Sequence, residues 1–290
     1  MHKPLVATNH YLPSNMLSRS LLTDPVLGKT LSSLTYSYLV YFYNRCKYVT
    51  SPTQTALNLL TDHGLHVPSG VISNGIDLSY YAQRPAEPEV VRRLGLPEDR
   101  PLIIHVNRLS DEKRIDVLLD AMARMHTPAH LALISSGPAE AALRAQVERL
   151  QIQDRVSFLG FVRDSDLLSL RHSAQLFVIP SEADLQSLAM MEAMACGLPI
   201  VAANAYALPE LVHHQQNGFL FQPGNSEEMA FQMDLILQDK NLQASMGAES
   251  LNIVAAHDRN KVLDQWERLY LQLAREFAEL HKVRQPVHAL

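Results

Sequence analysis

The chain has 290 residues, 47% of them hydrophobic and 19% charged, which is the balance of an ordinary soluble globular protein. Its formal net charge of -5 argues against general nucleic-acid binding, which needs a basic surface. Cys46 and Cys196 show no paired spacing and no stretch approaches the ~20 apolar residues of a membrane span, so we expect neither disulfides nor zinc, and a cytoplasmic location.

The first part of the chain contains few strands. Residues 4–8 predict one strand, residues 31–48 a helix rich in Tyr and Leu, and residues 48–50 and 71–72 two more short strands. The segment 80–101 holds four prolines and resembles a linker. Two or three strands with their helices seldom form a stable domain of this class, so this region either packs on something else or lacks its own beginning.

Two side-chain features stand out in this first part. His10 follows the first predicted strand, at an end suited to face a cleft, where a histidine can donate to a phosphate or a sugar hydroxyl. The alternative is a surface histidine, one of 13 in the chain. We expect Tyr36, Tyr38, Tyr41 and Tyr43 to pack along one helix face, with a membrane-interface role as the alternative.

From residue 101 onward, short apolar runs alternate with helical patterns. The predicted strands are residues 102–106, 131–135, 156–159, 176–179 and 199–203, and the predicted helices are 115–125, 139–150, 164–172 and 187–196. This alternation is typical of βαβ units with right-handed crossovers and a parallel sheet. It predicts an α/β, Rossmann-like domain, followed by a long amphipathic helix over residues 259–283.

The most specific pattern lies within residues 180–201, where a strand leads through a polar loop into a helix. Ser187 suits the N-cap of this helix and Gly197 its end, and the backbone N–H groups of Ser187 and Leu188 would face an anion. Glu192, in the second turn, leans back toward the same end and could accept hydrogen bonds from a vicinal diol such as a ribose. The alternative is a buried or salt-bridged helix glutamate.

A second pattern is a pair of cations in the loop after the strand at residues 102–106. Arg108 and Lys113 can converge on a pyrophosphate, since Arg binds oxygens bidentately and Lys acts as a point charge. In a transferase they would stabilise the leaving nucleoside diphosphate without a metal. The alternative is a solvated basic loop.

Glycines mark the turns after the next two strands. Gly137 and Gly160 stand where the backbone must bend or approach a ligand closely. Loops between strands and helices need glycine in any case, so each turn alone is a weak signal.

These motifs together resemble a known family. Arg108-x4-Lys113, the run at residues 191–197 and Ser-Asn-Gly-Ile-Asp at residues 73–77 look like those of the retaining GT-B glycosyltransferases, such as phosphatidylinositol mannosyltransferases and bacterial glycolipid synthases. The resemblance extends from about residue 6 to about residue 266 in the family's order.

The resemblance implies two Rossmann-like domains with the active site in the cleft between them. Residues 1–85 would form an incomplete N-terminal domain on the acceptor side, completed by the C-terminal helix 259–283. Residues 86–258 would form the domain that binds the nucleotide sugar. Compared with the family, on the order of 100 residues would be absent at the start, at ~30 residues per βα unit.

Site residues follow from the same resemblance. The family's Glu-x7-Glu motif falls on Asp184 and Glu192, which would contact the donor sugar near its anomeric centre and hold the donor ribose, respectively. Arg108 and Lys113 would bind the diphosphate, and His10 would approach the transferred sugar. Leu185, Gln186 and Ser187 would lie along the sugar and phosphates, Gly137 in a turn at the donor, and Phe161 and Val162 at the nucleobase.

The implied reaction moves a hexose from a nucleoside-diphosphate sugar to an acceptor hydroxyl with retention of anomeric configuration. The phosphate would serve as the base, with no metal or other cofactor. The expected partners are the donor and a lipid or carbohydrate acceptor; a peripheral contact at the inner membrane face and a separate N-terminal chain stay open. The alternative is a non-catalytic fragment or subunit of a split enzyme that only binds the nucleotide sugar.

Several positions depart from the family pattern. Asp184 is one methylene shorter than the family's Glu, and Glu182 is out of register with the motif. Asn107 and Arg114 replace glycines that flank the Arg–Lys motif, and Ser135 stands where a glycine is common. Both uridine and guanosine donors are compatible with these motifs.

Overall fold

The computed structural model describes residues 3–12, 27–82 and 84–282, and these residues form two parallel sheets. The smaller sheet has three strands in chain order: β1 (Val6–Thr8), β2 (Tyr48–Ser51) and β3 (Ser69–Val71). Thr50 Oγ1 donates to Thr8 Oγ1 across the β1–β2 pair at 2.8 Å. The two upstream strands are therefore confirmed within two residues, whereas the third begins before the predicted residue 71.

Two helices pack against this small sheet. They are α1 (Leu27–Tyr43) and α2 (Gln54–Thr61), and their buried side chains share one apolar cluster with Val49 of β2. Thr53 is the N-cap of α2, since its Oγ1 accepts a hydrogen bond from the Ala56 N–H at 3.2 Å. Helix α1 ends five residues before the predicted end at residue 48, because the chain turns there and enters β2.

The four tyrosines of α1 do not share a face, and that prediction was wrong. Tyr36 and Tyr43 are buried against the sheet, whereas Tyr38 and Tyr41 are exposed. Tyr36 and Tyr43 are seven residues apart, which is two helical turns, so they lie on the same side of the helix. Tyr38 and Tyr41 are rotated toward the opposite side.

The proline-rich segment at residues 80–101 is folded against the larger sheet. It overlaps α3 (Leu78–Tyr81) and contains α4 (Pro88–Arg93), with Pro88 at the first helical position. Val91 and Leu96 from this segment belong to the core of the large sheet. The described part of this segment is therefore packed against the large sheet, and its role as a linker between domains stays a prediction.

The larger sheet has six parallel strands in the order β6-β5-β4-β7-β8-β9. They are β4 (Leu102–Val106), β5 (His130–Ile134), β6 (Val156–Gly160), β7 (Leu176–Ile179), β8 (Ile200–Ala203) and β9 (Gly218–Phe221). This is the doubly wound nucleotide-binding order, whose winding reverses between β4 and β7. The predicted Rossmann-like sheet is confirmed, with β9 as an additional strand.

Helices connect these strands and bury most of the core. They are α5 (Ile115–Arg124), α6 (Glu140–Leu150), α7 (Asp164–Ser173), α8 (Leu188–Ala195), α9 (Ser226–Gln238) and α10 (Lys240–Val254). The first four lie within two residues of their predicted ends. Helices α9 and α10, for which no prediction was made, follow β9 and pack through Met229, Met233 and Met246 into the main core.

The last helix, α11 (Arg259–Lys282), returns to the small sheet. Its residues Val262, Leu269 and Leu273 form a cluster with Ile72, and Lys47 pairs with Glu276 at 3.0 Å. The division into domains at residue 85 stays a prediction, and residue 283 of the predicted helix lies outside the described residues. None of the helices in the described ranges combines the length and apolarity that crossing a bilayer requires.

A buried histidine lies at the centre of the large sheet. His105 of β4 is fully buried, and its Nδ1 lies 2.8 Å from the carbonyl oxygen of Val178 in β7. Burial lowers the pKa of His105 to about 4, and the nearby Lys113 acts in the same direction. The folded protein therefore holds this ring neutral in a pH range where an unfolded chain would protonate it.

We expect the free energy of unfolding to fall by about 2 kcal/mol between pH 7 and pH 5 through His105 alone, because the unfolded state then binds the proton that the folded state excludes. In His105→Asn, whose amide can still donate to Val178, this part of the dependence of the unfolding free energy on pH should disappear. Urea denaturation at both pH values measures it, with the exposed His66→Asn as control. An unchanged slope in His105→Asn would contradict the assignment.

Candidate functional site

Two loops meet where the winding of the large sheet reverses. Residues 107–114 leave the carboxyl end of β4, and residues 180–187 leave the carboxyl end of the neighbouring β7. Ligands of open α/β sheets bind at such a point, because adjacent strands there send their connections to opposite faces. The predicted cations lie on the first loop and the predicted acid on the second.

Lys113 and Asp184 form an ion pair between these loops. Lys113 Nζ lies 3.1 Å from both carboxylate oxygens of Asp184 and donates to the Ala183 carbonyl at 3.2 Å. The two side chains are only 11% and 12% exposed. The ammonium group is thus paired with the acid that the family resemblance predicts near the donor sugar.

Arg108 contrasts with Lys113, since its side chain is exposed and makes no hydrogen bond or ion pair within the described ranges. The loop that carries it is held by Gly137. A Cβ at Gly137 would lie 2.2 Å from the carbonyl oxygen of Leu109, so the glycine lets two loop backbones touch. The structure therefore gives Gly137 a supporting role in the loop, and its predicted contact with a donor stays a prediction.

The out-of-register acid Glu182 is also paired. Its carboxylate contacts the Arg114 guanidinium, which binds Asp116 at 3.2 Å as well. Arg114 has a left-handed φ of 52°, a conformation that glycine adopts at lower cost. This backbone geometry explains why a glycine is expected there, and the two carboxylates hold the arginine that replaces it.

The start of α8 agrees with the capping pattern. Ser187 Oγ accepts a hydrogen bond from the Met190 N–H at 3.3 Å, and Gly197 has a positive φ of 77° after the helix. The predicted N-cap and the helix-ending glycine are confirmed. Leu188 is the first helical residue and its side chain is exposed.

Leu185 lies on the loop after β7, but its side chain points into the part of the protein built around strands β1–β3, here called the small unit. Its side chain is buried with Leu12 and Ala56, and its carbonyl oxygen accepts a hydrogen bond from Thr53 Oγ1 at 2.8 Å. Its side chain thus joins the two sheets of the molecule, so a donor contact would fall to its backbone.

Gln186 makes a similar connection that the sequence did not predict. Its Nε2 donates to the Pro52 carbonyl at 3.2 Å, and its Oε1 accepts from the Asn74 N–H at 2.8 Å. The side chain is therefore engaged by the small unit. Nearby, Glu210 accepts hydrogen bonds from the first N–H groups of α2, Gln54 at 3.0 Å and Thr55 at 2.7 Å.

Glu192 is ion-paired with Arg171 of α7, a residue that the sequence analysis missed. Arg171 is 3% exposed and lies over the Tyr81 ring at 5.5 Å, whereas Glu192 is 25% exposed. Burial, followed by the negative charge of Glu192, raises the pKa of Tyr81. The salt-bridged alternative therefore describes the observed geometry, and a ribose contact stays a prediction.

Phe161 and Val162 differ in their access to solvent. The Phe161 side chain is 88% exposed at the carboxyl end of β6, whereas Val162 is buried in the main core. A nucleobase could therefore meet the Phe161 ring, but only the backbone of Val162.

His10 lies two residues beyond β1 and is exposed. Its neighbour Asn9 is buried and donates its backbone N–H to the Thr50 carbonyl at 2.8 Å, which fixes the chain at the end of the small sheet. No side-chain hydrogen bond of His10 is found within the described part of the chain. Its contact with a transferred sugar stays a prediction.

The described ranges contain no group of three or more His, Cys, Asp or Glu side chains that could hold a metal ion. The metal-free chemistry expected from the sequence stays a prediction.

Comparisons with known proteins agree with this geometry. The family described as "Glycosyl transferases group 1" matches residues 87–252. N-acetyl-alpha-D-glucosaminyl L-malate synthase of Bacillus anthracis is 29% identical over 208 residues, 71% of this chain and 54% of that protein. Alpha-monoglucosyldiacylglycerol synthase of Streptococcus pneumoniae is 27% identical over 220 residues, 73% of this chain and 47% of that protein. The chain thus spans about half the length of these curated relatives.

A solved structure extends the similarity to both sheets. Anabaena Alr3699/HepE, crystallised in complex with UDP, matches with a TM-score of 0.80 and 26% identity, over 93% of this chain and 72% of that chain. At 93% of this chain, the match includes residues of both the small and the large sheet.

Ser135, at the end of β5, has a φ of 115°, in the region that favours glycine. We expect Ser135→Gly to raise the free energy of unfolding by about 1 kcal/mol, because relief of backbone strain exceeds the added freedom of the unfolded chain. The adjacent, exposed Ser136 has no positive φ, so Ser136→Gly should lower it by up to ~1 kcal/mol. Urea denaturation measures both, and shifts of the same sign would refute the argument.

Proposed function

Because the chain belongs to the glycosyl transferases group 1 family and has the GT-B fold, we propose that it moves a hexose from a nucleoside-diphosphate sugar to an acceptor hydroxyl with retention of configuration. The acceptor is proposed to be a lipid or a carbohydrate, and the cytoplasm the site of action. The solved structure crystallised with UDP supports a nucleotide-sugar donor, and the relative named as a monoglucosyldiacylglycerol synthase supports a lipid acceptor.

The observation that carries the proposal is the meeting of the two loops at the reversal of the large sheet. It brings the Arg108 loop, the Lys113–Asp184 pair and the N-terminus of α8 to one place. Cations and backbone N–H groups that converge at a helix N-terminus suit a diphosphate. Two of the residues predicted from the sequence, the cation Lys113 and the acid Asp184, are in direct contact in this cluster.

In the proposed reaction the acceptor oxygen forms a bond to the anomeric carbon as the bond from that carbon to the diphosphate oxygen breaks. The acceptor proton passes to the leaving phosphate, on the same face of the sugar. Arg108 and Lys113 stabilise the charge that develops on the diphosphate. Asp184 and His10 contact the sugar, Glu192 the ribose, and Phe161 with the Val162 backbone the nucleobase, while residues 185–188 line the phosphates.

The ion pair suggests an exchange of partners on binding. When the diphosphate arrives, its oxygens replace Asp184 beside the Lys113 ammonium group, and the released carboxylate can then accept hydrogen bonds from the sugar. Because both side chains are mostly buried, each charge needs a partner in both states.

We expect one of UDP, GDP and ADP to bind saturably in calorimetric titrations, and Arg108→Ala to weaken that binding by about tenfold through the loss of a phosphate contact. Arg149→Ala, which removes an exposed arginine of α6, serves as control and should bind normally. Equal affinities of Arg108→Ala and the unmodified protein would remove Arg108 from the site. Binding without transfer from the sugar conjugates would favour the non-catalytic alternative.

Asp184→Asn should bind the nucleoside diphosphate several-fold more tightly, because Lys113 then has no competing carboxylate, while transfer to any acceptor falls. Calorimetry with the diphosphate and release of diphosphate from the sugar conjugate measure the two effects. Glu182→Gln is the matched control, since that carboxylate pairs with Arg114 instead of Lys113. Weaker binding in Asp184→Asn would exclude the exchange of partners.

A further inference from the structure

The Arg171–Glu192 pair is unlike the surface ion pairs of this protein. The Arg171 guanidinium is buried at 3% exposure, donates through one terminal nitrogen to Glu192 Oε2, and leaves its Nε without a partner in the described chain. Burying a guanidinium costs solvation, and here the compensation comes from one carboxylate and the Tyr81 ring. Such an arrangement is expected where a fixed carboxylate is needed.

The pair is also asymmetric toward solvent. Glu192 is 25% exposed whereas Arg171 is almost fully enclosed, so a molecule arriving from outside can touch the anion and cannot reach the cation. A second pair, between Arg93 of α4 and Asp166 of α7, has the reverse arrangement: Arg93 is 58% exposed and Asp166 17%. The pair between Arg171 and Glu192 therefore exposes a carboxylate to solvent, whereas the pair between Arg93 and Asp166 exposes a cation.

We infer that Arg171 is a positioning residue, which holds the Glu192 carboxylate in the orientation that accepts hydrogen bonds from the ribose hydroxyls of a ribonucleoside diphosphate. This inference rests on the proposed donor site. Arg171 itself touches no part of the donor. The contact of Arg171 with Oε2 restrains the Glu192 carboxylate, so less side-chain freedom is lost when the two hydroxyls bind. The consequence is a preference for ribonucleotides over 2′-deoxyribonucleotides.

A double-mutant cycle separates positioning from simple structural support. The variants are Arg171→Met, Glu192→Gln and their combination, titrated calorimetrically with UDP, GDP and ADP and with the 2′-deoxy counterpart of each. The unmodified protein should prefer the ribonucleotide by about tenfold, as expected for one hydrogen bond to a charged group. Each single variant should reduce the preference to within about twofold, and the double variant should reduce it no further.

Two further variants complete the design. Arg93→Met removes the exposed pair between Arg93 of α4 and Asp166 of α7, and should keep the full ribose preference. Arg171→Lys keeps the positive charge but not the guanidinium geometry, and should retain part of the ribose preference. Thermal unfolding shows whether Arg171→Met folds. If it does not, Arg171→Lys takes its place as the test. An unchanged preference in Arg171→Lys would then overturn the inference.

The outcomes distinguish this inference from the proposed function. A full ribose preference in Arg171→Met overturns the inference and leaves the donor site intact. If Arg171→Met weakens the binding of ribonucleotides and deoxyribonucleotides equally, and does so in the Glu192→Gln background as well, Arg171 only supports the structure. That result also overturns the inference. If the unmodified protein binds none of the diphosphates, the proposed function fails, and the inference with it.

Discussion

The parallel pairing of β4 with β7 is the constraint on which the rest of the site depends. Ile103 lies opposite Leu176 and Ile104 opposite Phe177, although the paired residues are 73 positions apart in the chain. Parallel neighbours end at the same edge, so this pairing brings the loop of Lys113 against the loop of Asp184. The buried His105–Val178 hydrogen bond crosses the same two strands and ties the pairing to the interior.

Charge around this edge is distributed as matched pairs. Lys113 faces Asp184, Arg114 faces Glu182 and Arg171 faces Glu192, and in each pair the cation is more enclosed than, or as enclosed as, its acid. In the proposed exchange, a diphosphate would take the place of Asp184 beside Lys113, whereas the pair between Arg171 and Glu192 would stay intact. The cations are held in position before a ligand arrives, which is a form of preorganisation.

The sequence predicted those features that depend on neighbouring residues. The Ser187 cap and the Gly197 helix end were predictable because their signals lie within one helix, and the alternation of strands and helices up to β8 followed from local periodicity. The identity of Ser135 as a residue in a glycine-like conformation could also be anticipated from the family pattern.

Contacts between distant elements were not predictable in this way. Gln186 meets Asn74 across 112 residues, and Arg171 meets Glu192 from a different helix, so no local pattern marks either side chain. The outward turn of Tyr38 and Tyr41 was missed for a related reason, since composition shows that a helix is aromatic but not which side the sheet covers. The roles of His10, Asp184 and Glu192 toward a donor also depend on a partner molecule.

Residues 185 and 186, which lie between Asp184 and Ser187, are hydrogen-bonded to the small unit, so this short segment couples the small unit to the two loops of the large sheet. The Leu185 carbonyl is tied to Thr53, and the Gln186 amide to Pro52 and Asn74. Any swing of the small unit is therefore transmitted through a few peptide bonds to the acid on one side and to the helix cap on the other. A displacement of the small unit would therefore also displace the Asp184 carboxylate and the N-terminus of α8.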